Sequence, residues 1–335
     1  MSKTKVLVTG AAGFLGSHLT DNLLQRGYHV VAVDNLSHGN LRNLKEAQAS
    51  HNFEFHQIDI CDRERLRSVC DGVEIIAHLA AYKIPRYGKA IDTLLINSQG
   101  SHNVLQIASE LRAKFVVTST SDVYGKNLSI PFSETSDSVI GPSTIPRWSY
   151  AVSKLFDEHL AFAYAEDAQI PVVVLRIFGS YGPRQNLSWW GGPQSVFIDS
   201  ILNGESIPIH GDGLQTRSFT FASDTAAGIC EAVVNDAANG EILNIGSTHE
   251  ITIVELAKVI HRLSGVEEPL KLEMVPYDQI SGRKYEDVRR RVPDVAKAAK
   301  LLGFRAEVSL EDGLRRTIEW QRQIRCSQAA VASAV

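Results

Sequence analysis

The sequence predicts an α/β protein in which a doubly wound parallel sheet fills roughly the first half of the chain and a smaller C-terminal α/β lobe follows. Short, continuously apolar runs alternate with helix-like segments up to Phe178, which is typical of a parallel sheet covered on both faces. A glycine-rich turn joins the first strand to the first helix. Beyond Phe178, glycine, proline and tryptophan cluster in loops at 179–183 and 189–193, which indicates a change of architecture.

Each predicted element follows from its local pattern. The first strand is a β-branched run that ends at Gly10, and the first helix has leucines at helical spacing and stops at Gly27. The predicted strands are 6–9, 29–33, 53–58, 74–79, 114–118, 172–175 and 240–246, and the predicted helices are 14–26, 90–111, 150–166 and 252–263. We expect the Ala/Ser-rich residues 326–335 to form a flexible tail.

Composition narrows the classes of function. The chain has 335 residues, 44% of them hydrophobic, and a net charge of -4, which gives no reason to expect a nucleic-acid partner. Its four cysteines are scattered without a Cys-x-x-Cys pair, so we expect reduced thiols in a cytoplasmic protein and no metal site. No run approaches the ~20 apolar residues of a membrane span, and no signal peptide is expected.

The turn Gly10–Gly16 has the spacing Gly-x-x-Gly-x-x-Gly between a strand and a helix. Its glycines allow a tight turn and a close approach of the backbone to a pyrophosphate, and the helix N-terminus offers free N–H groups. Asp34 ends the second strand 18 residues after Gly16 and can accept a hydrogen bond from a ribose 2′-hydroxyl. This carboxylate would repel a 2′-phosphate, so the predicted cofactor is NAD and not NADP.

Tyr150 and Lys154 are four residues apart in a predicted helix, so both side chains lie on one face. A nearby ammonium favours the phenolate, and tyrosine needs such help to act as a base near neutral pH. The pair alone could equally be part of a solvated helix face. Together with the glycine turn and Asp34, it becomes a candidate device for proton transfer.

The glycine spacing and the Tyr-x-x-x-Lys helix resemble those of the extended short-chain dehydrogenase/reductases, the nucleotide-sugar epimerases, dehydratases and decarboxylases. The resemblance implies an NAD-binding Rossmann domain at 1–178, rejoined by part of 225–262, and a mainly nucleotide-sugar-binding lobe at 179–325. It implies that the cofactor contacts are Gly10, Gly13, Phe14, Leu15, Gly16, Asp34, Asn35, Asp59, Ile60, Leu79, Ala80, Ala81, Lys83, Asn97, Tyr150 and Lys154. It implies that the catalytic residues are Thr120, Asp122, Tyr150 and Lys154, and the substrate contacts Lys83, Thr120, Arg184, Arg217 and Arg291.

The resemblance also implies that Tyr150 takes a proton from a sugar hydroxyl while the carbon gives hydride to NAD. Ser121-Asp122 replaces the Asp-Glu pair of 4,6-dehydratases, which argues against elimination of water. Lys83 resembles a lysine of UDP-galactose 4-epimerases, whereas Gly141-Pro142, the segment 285–288 and Arg291 resemble UDP-glucuronate decarboxylases. We expect an epimerase acting at C4 of a UDP-hexose or UDP-hexuronate. The alternatives are a UDP-glucuronate decarboxylase and, less favoured, a 4,6-dehydratase or a non-catalytic NAD-binding scaffold.

Three features leave the sugar contacts open. Gly179 stands where many members of this family carry asparagine, and Trp189-Trp190 could stack on a ligand or pack within the lobe. Lys83, Arg86 and Arg147 could form a binding site for the anionic carboxylate of a uronate, or they could be part of a solvated surface. The resemblance further implies a homodimer in which the helix 150–166 takes part.

Overall fold

The computed structural model describes residues 3–83, 89–282 and 284–332. Its strands are β1 (Lys5–Thr9), β2 (His29–Asp34), β3 (Phe53–Gln57), β4 (Val73–His78), β5 (Lys114–Thr120), β6 (Val172–Ile177), β7 (Ser180–Tyr181), β8 (Ile207–His210), β9 (Thr216–Ser218), β10 (Thr220–Phe221), β11 (Glu241–Ile245), β12 (Glu250–Thr252) and β13 (Leu272–Val275). Its α-helices are α1 (Phe14–Gln25), α2 (Arg63–Ser68), α3 (Ala90–Leu111), α4 (Trp148–Ala168), α5 (Pro193–Leu202), α6 (Ala222–Val234), α7 (Ile253–Ser264), α8 (Tyr277–Ser281), α9 (Ala296–Leu302) and α10 (Leu310–Ala332).

A seven-stranded parallel sheet is the centre of the fold, in the order β11-β6-β5-β4-β1-β2-β3. One face is covered by a core that includes α1, α6 and α9, and the other by a core that includes α2, α3 and α4. The predicted doubly wound Rossmann sheet is therefore confirmed. The order reverses between β1 and β4, the kind of position at which open parallel sheets form a ligand crevice at their carboxyl ends.

Of the elements that follow β6, some belong to the central sheet and its covering helices, and the others form a second core. α6 packs against α1, and β11 pairs in parallel with β6, so part of the C-terminal half completes the central sheet. The second core is built mainly from α5, α7, α10 and β8. α10 continues as a helix to Ala332, into residues expected to form a tail, because alanine and glutamine there are good helix formers. No helix of the described residues is long and apolar enough to cross a membrane.

A buried ion pair fastens α4 to the sheet. Arg176 of β6 donates to both carboxylate oxygens of Glu158, with N–O distances from 2.7 to 3.3 Å, and both residues are at most 5% exposed. The Ser119 hydroxyl of β5 also donates to Glu158. The two-pronged geometry fixes the guanidinium orientation, so α4 is held over the carboxyl ends of β5 and β6.

We expect Glu158→Gln to lower the free energy of unfolding by about 3 kcal/mol, because it leaves the buried Arg176 charge uncompensated. Urea unfolding followed by circular dichroism measures this loss. Glu311→Gln is the matched control, because Glu311 pairs with Arg262 at the surface and the change should cost less than about 1 kcal/mol. Equal losses in the two variants would contradict a structural role for the buried pair.

Candidate active site

The glycine turn brings two backbone segments into close contact. Gly10 has a φ of 69°, in the left-handed region, and a Cβ atom there would lie 2.8 Å from the Ala80 nitrogen after β4. A Cβ atom on Gly16 would collide with the Gly10 carbonyl oxygen. α1 begins at Phe14, directly after Gly13 of this turn, so its N-terminal N–H groups face the crevice at the carboxyl ends of the strands.

Asp34 closes the side of the crevice next to β2. Its Oδ2 accepts from the Ala12 N–H at 3.0 Å and its Oδ1 from the Leu36 N–H at 2.8 Å. Burial raises the pKa of this carboxyl above its ordinary value, and the backbone hydrogen bonds act in the opposite direction. Asn35 donates to Asp59 Oδ2 at 2.8 Å, which joins the ends of β2 and β3.

A cavity of 970 Å³ follows this crevice and collects most of the predicted site. Its lining includes Gly10, Gly13, Phe14, Leu15, Gly16, Asp34, Asn35, Asp59, Ile60, Leu79, Ala80, Ala81, Lys83, Thr120, Asp122, Tyr150, Arg184 and Arg291. Asn97 and Lys154 lie beneath the lining, each 1% exposed. Asn97 exchanges hydrogen bonds with the Tyr82 backbone and donates to Ser153 at 2.9 Å, so it ties the segment after β4 to α4.

A second cavity of 310 Å³ adjoins the first and shares Tyr150 and Asp122 with it. Arg147, Arg217 and Arg291 line it together with Asp287. Asp122 Oδ1 accepts from Arg291 and, at 3.3 Å, from Arg147. Arg217 donates to Asp287 at 2.6 Å. Three guanidinium groups therefore converge on two carboxylates at one wall.

Burial and charge oppose each other in this cluster. Burial alone would raise the pKa of Asp122, but Arg291 and Arg147 lower it below its usual value, so Asp122 is ionised at neutral pH. Burial lowers the pKa of Arg217 to about 10, with further lowering from the two other arginines and partial compensation by Asp287. An additional anion in the cavity would relieve the repulsion among the three cations.

Tyr150 lies in the first turn of α4, between the two cavities. Thr120 ends β5, and its hydroxyl accepts from the Asp122 N–H at 3.2 Å. Burial raises the pKa of Tyr150, and the carboxylates of Asp122 and Asp157 raise it further. The sequence predicted the opposite shift, from Lys154. Burial is the main cause of the difference, and the Lys154 ammonium is in addition paired with Asp157, to which it donates at 2.8 Å.

Arg184, a predicted substrate contact, lies on the crevice side of the site. Its guanidinium donates to Asp21 of α1 at 2.6 Å and reaches Glu46 at 3.9 Å. It lines the larger cavity and is absent from the lining of the smaller one. The sequence around Arg184 gives no information on this direction, which depends on Asp21 of α1 and on Glu46.

The two tryptophans have different surroundings. Trp189 stacks on His210 with ring centroids 4.0 Å apart and packs in the lobe core. Trp190 instead contacts His38, which follows β2, with ring centroids 4.0 Å apart and ring planes tilted by 32°. The loop therefore reaches from the C-terminal lobe across the larger cavity. A side chain on Gly179 would meet the Ser218 carbonyl oxygen at 2.7 Å, which explains the lack of the expected asparagine.

Sequence reasoning missed the part that Asp287 takes in the cluster and left Arg147 ambiguous. The signal for Arg147 was its place three residues before Tyr150, which sets it at the start of α4 beside the cavity. Arg86, the third member of the possible anion-binding site, lies outside the described residues.

Residues 7–317 match the family model described as GDP-mannose 4,6 dehydratase. The chain belongs to this family of extended short-chain dehydrogenase/reductases. It is 37% identical to the UDP-N-acetyl-alpha-D-glucosaminuronate decarboxylase of Bacillus cytotoxicus, over 96% of this chain and 99% of that protein. It is 35% identical to UDP-glucuronic acid decarboxylase 4 of Arabidopsis thaliana, over 95% of this chain and 69% of that protein.

Solved structures of the family include epimerases. The UDP-glucuronic acid 4-epimerase of Bacillus cereus, in complex with UDP-glucuronic acid and NAD, is 30% identical, with a TM-score of 0.85 over 96% of this chain and 100% of that one. The UDP-glucose 4-epimerase of Thermotoga maritima, with UDP-glucose, is 29% identical, with a TM-score of 0.85 over 96% of this chain and 99% of that one. Members of this family are NAD-dependent enzymes that act on nucleotide sugars. Decarboxylases and epimerases both resemble this chain, so similarity does not select one reaction.

We expect Gly10→Ala to weaken NAD binding at least about tenfold, because its Cβ would push Ala80 out of place and its φ is unfavourable for alanine. Isothermal titration with NAD measures the change. Gly27→Ala is the matched control, since Gly27 has a φ of 84° and no atom of the described residues would lie within 4 Å of a Cβ added there. If both variants bound NAD as the parent does, the close approach at Gly10 would have no role in the site.

Proposed function

We propose that the chain is an NAD-dependent UDP-sugar 4-epimerase that acts through a transient 4-keto sugar. The observation that carries this proposal is the position of Tyr150 between the glycine-lined crevice and the arginine-lined cavity. A group there can reach a sugar hydroxyl whose carbon faces the cofactor. The two solved 4-epimerases, at 30% and 29% identity, support the same reaction.

The larger cavity fits NAD. The free N–H groups at the start of α1 can hold the pyrophosphate, and Asp34 can accept from a ribose hydroxyl. NAD, when bound, accepts the hydride from the sugar carbon and returns it. The chain supplies the other requirements of the reaction: orientation, exclusion of water and control of a proton.

The proton step belongs to Tyr150 and Thr120. The Tyr150 phenolate would take the proton from the C4 hydroxyl, and Thr120 can hold the same oxygen through its own hydroxyl. Because burial disfavours the phenolate, its formation requires positive charge nearby. Lys154 supplies that charge from within α4, and the same tyrosine can return the proton when the ketone is reduced.

The smaller cavity fits the anionic part of a nucleotide sugar. Three arginines face two carboxylates there, which leaves one excess positive charge before Lys83 and Lys284 are counted. Guanidinium groups can donate paired hydrogen bonds to a phosphate or a carboxylate. Arg217 and Arg291 are suited to the diphosphate, and Arg147 to a sugar carboxylate. A UDP-hexuronate therefore suits the charge of the cavity.

Epimerisation is favoured because it needs no acid other than Tyr150. Decarboxylation also needs a proton donor for C5 once carbon dioxide has left, and Asp122, the carboxyl next to Tyr150, is held ionised by Arg291 and Arg147. The second candidate is a UDP-hexuronate decarboxylase. The 37% identity to a uronate decarboxylase, over nearly the whole of both chains, supports it.

We expect the protein to interconvert UDP-glucuronate and its C4 epimer without net consumption of NAD. NMR of a panel of UDP-hexoses and UDP-hexuronates measures the products. Tyr150→Phe should bind NAD normally and lose roughly 10²- to 10⁴-fold in kcat. Release of carbon dioxide with a UDP-pentose would establish the decarboxylase instead, and no conversion of any UDP-sugar would remove both candidates.

We further propose a homodimer formed through α3 and α4. These helices pack against each other and leave Ile91, Leu95, Val152 and Phe156 between 43% and 61% exposed, at i and i+4 positions. A second copy of the same two helices can cover this surface by two-fold symmetry.

Light scattering at micromolar concentration should give twice the chain mass of 36.8 kDa. The double variant Leu95→Glu/Phe156→Glu should give the mass of a single chain, because charge would then be buried in the contact. Leu128→Glu is the control, since Leu128 is 92% exposed and belongs to neither helix. A monomeric parent protein would refute the dimer.

A further inference from the structure

Lys154 and Asp157 form an ion pair inside the protein, one helical turn apart on α4. The Nζ–Oδ2 distance is 2.8 Å, and the two side chains are 2% and 1% exposed. Lys154 supplies positive charge for the proposed proton transfer by Tyr150, whereas Asp157 has no part in that step. A buried carboxylate is costly to keep unless its partners compensate for lost hydration, so its place beside Lys154 calls for a role.

The surroundings of Asp157 connect it to the crevice. Oδ1 is buried and, within the described ranges, has no hydrogen bond of normal geometry. Burial raises the pKa of the Asp157 carboxyl above its usual value, and the Lys154 ammonium and the adjacent Ser101 hydroxyl of α3 act in the opposite direction. Ser101 lies 3.1 Å from His78 Nε2, and His78 Nδ1 lies 2.7 Å from the Thr9 hydroxyl. That hydroxyl accepts from the Ala80 N–H, in the segment that lines the cofactor cavity.

We propose that Asp157 is a positioning residue of the C4 oxidation: it holds Lys154 in the buried layer between α3 and α4 and opposes the pull of the ammonium on the Tyr150 proton. The proposal rests on the proposed function, in which Tyr150 is the base. Asp157 contacts neither cavity and acts only through Lys154 and through its own charge.

The charges that face these groups determine the direction of the effect. Asp157 faces Lys154 and Glu158 on its own helix and Ser101 on α3. His78, beyond Ser101, has its pKa lowered to about 3 by burial and by Lys154, so it stays neutral in the working range. Tyr150 faces Asp122 from the turn after β5, in addition to Asp157. Removal of the Asp157 charge leaves the Lys154 ammonium less compensated, and the Tyr150 phenolate then forms at lower pH.

The test variant is Asp157→Asn, which removes the charge and keeps the shape. The acidic limb of the kcat–pH profile is the range in which kcat falls as the pH is lowered. We expect this limb to move to lower pH by roughly one unit, because one nearby charge shifts the pKa of a titrating group by about that amount. Below the limb of the parent protein, turnover should rise by up to about tenfold. Asp157→Glu retains the charge and should return the limb to the position of the parent.

A second measurement needs no turnover, so it separates this proposal from the proposed function. The absorbance of tyrosinate at 295 nm is titrated in the NAD-saturated protein, and the same titration of the Tyr150→Phe variant is subtracted to isolate Tyr150. The Tyr150 transition should move to lower pH in Asp157→Asn, even if the nucleotide-sugar substrate is different from the one proposed.

Glu166→Gln is the control, because Glu166 is an exposed acid of the same helix α4, 16 residues after Tyr150. It should leave both the limb and the Tyr150 transition in place. A Tyr150 transition that stays in place or moves upward in Asp157→Asn would overturn the proposal. So would an Asp157→Glu variant that behaves like Asp157→Asn.

Discussion

The Arg176–Glu158 ion pair determines where helix α4 lies, and the candidate site depends on that position. Tyr150 and Lys154 are both on α4, whereas Thr120 ends a strand of the sheet. Their convergence requires the helix to be fixed in height and rotation against β5 and β6. A two-pronged guanidinium contact restricts both, in a way that apolar packing against the helix would not. The buried ion pair that stabilises the fold therefore also aligns Tyr150 and Lys154 with Thr120.

A local pattern was enough to predict the cofactor side of the molecule. The glycine turn, Asp34 and the pair Tyr150 and Lys154 each depend on residues within one strand–turn–helix unit or one helical turn, so spacing alone carries the information. The seven-stranded sheet followed from the same kind of reasoning, because continuous apolar strands that alternate with helices have few alternative arrangements.

The substrate side could not be predicted in the same way. Asp122 contacts Arg291, 169 positions away in the sequence, and Arg217 contacts Asp287, 70 positions away. Such pairs depend on how the lobe folds back over the sheet, which no local period encodes. Arg184 illustrates the difficulty, because the direction of its side chain is set by Asp21, 163 positions away in the sequence. The contact between Lys154 and Asp157 could have been predicted from their i, i+3 spacing on a helix, but the burial of the pair could not.

The sharing of Asp122 between Arg291 and Arg147 has a consequence for how this wall of the site can change in evolution. A substitution at any one of these positions alters the electrostatic environment of the other two, so the effects of single mutations are not additive. Loss of Asp122 alone would leave two cations facing each other, which is a disfavoured intermediate. A shift to a substrate of different charge is therefore expected to proceed through coupled replacements, and ancestral states at these positions should covary.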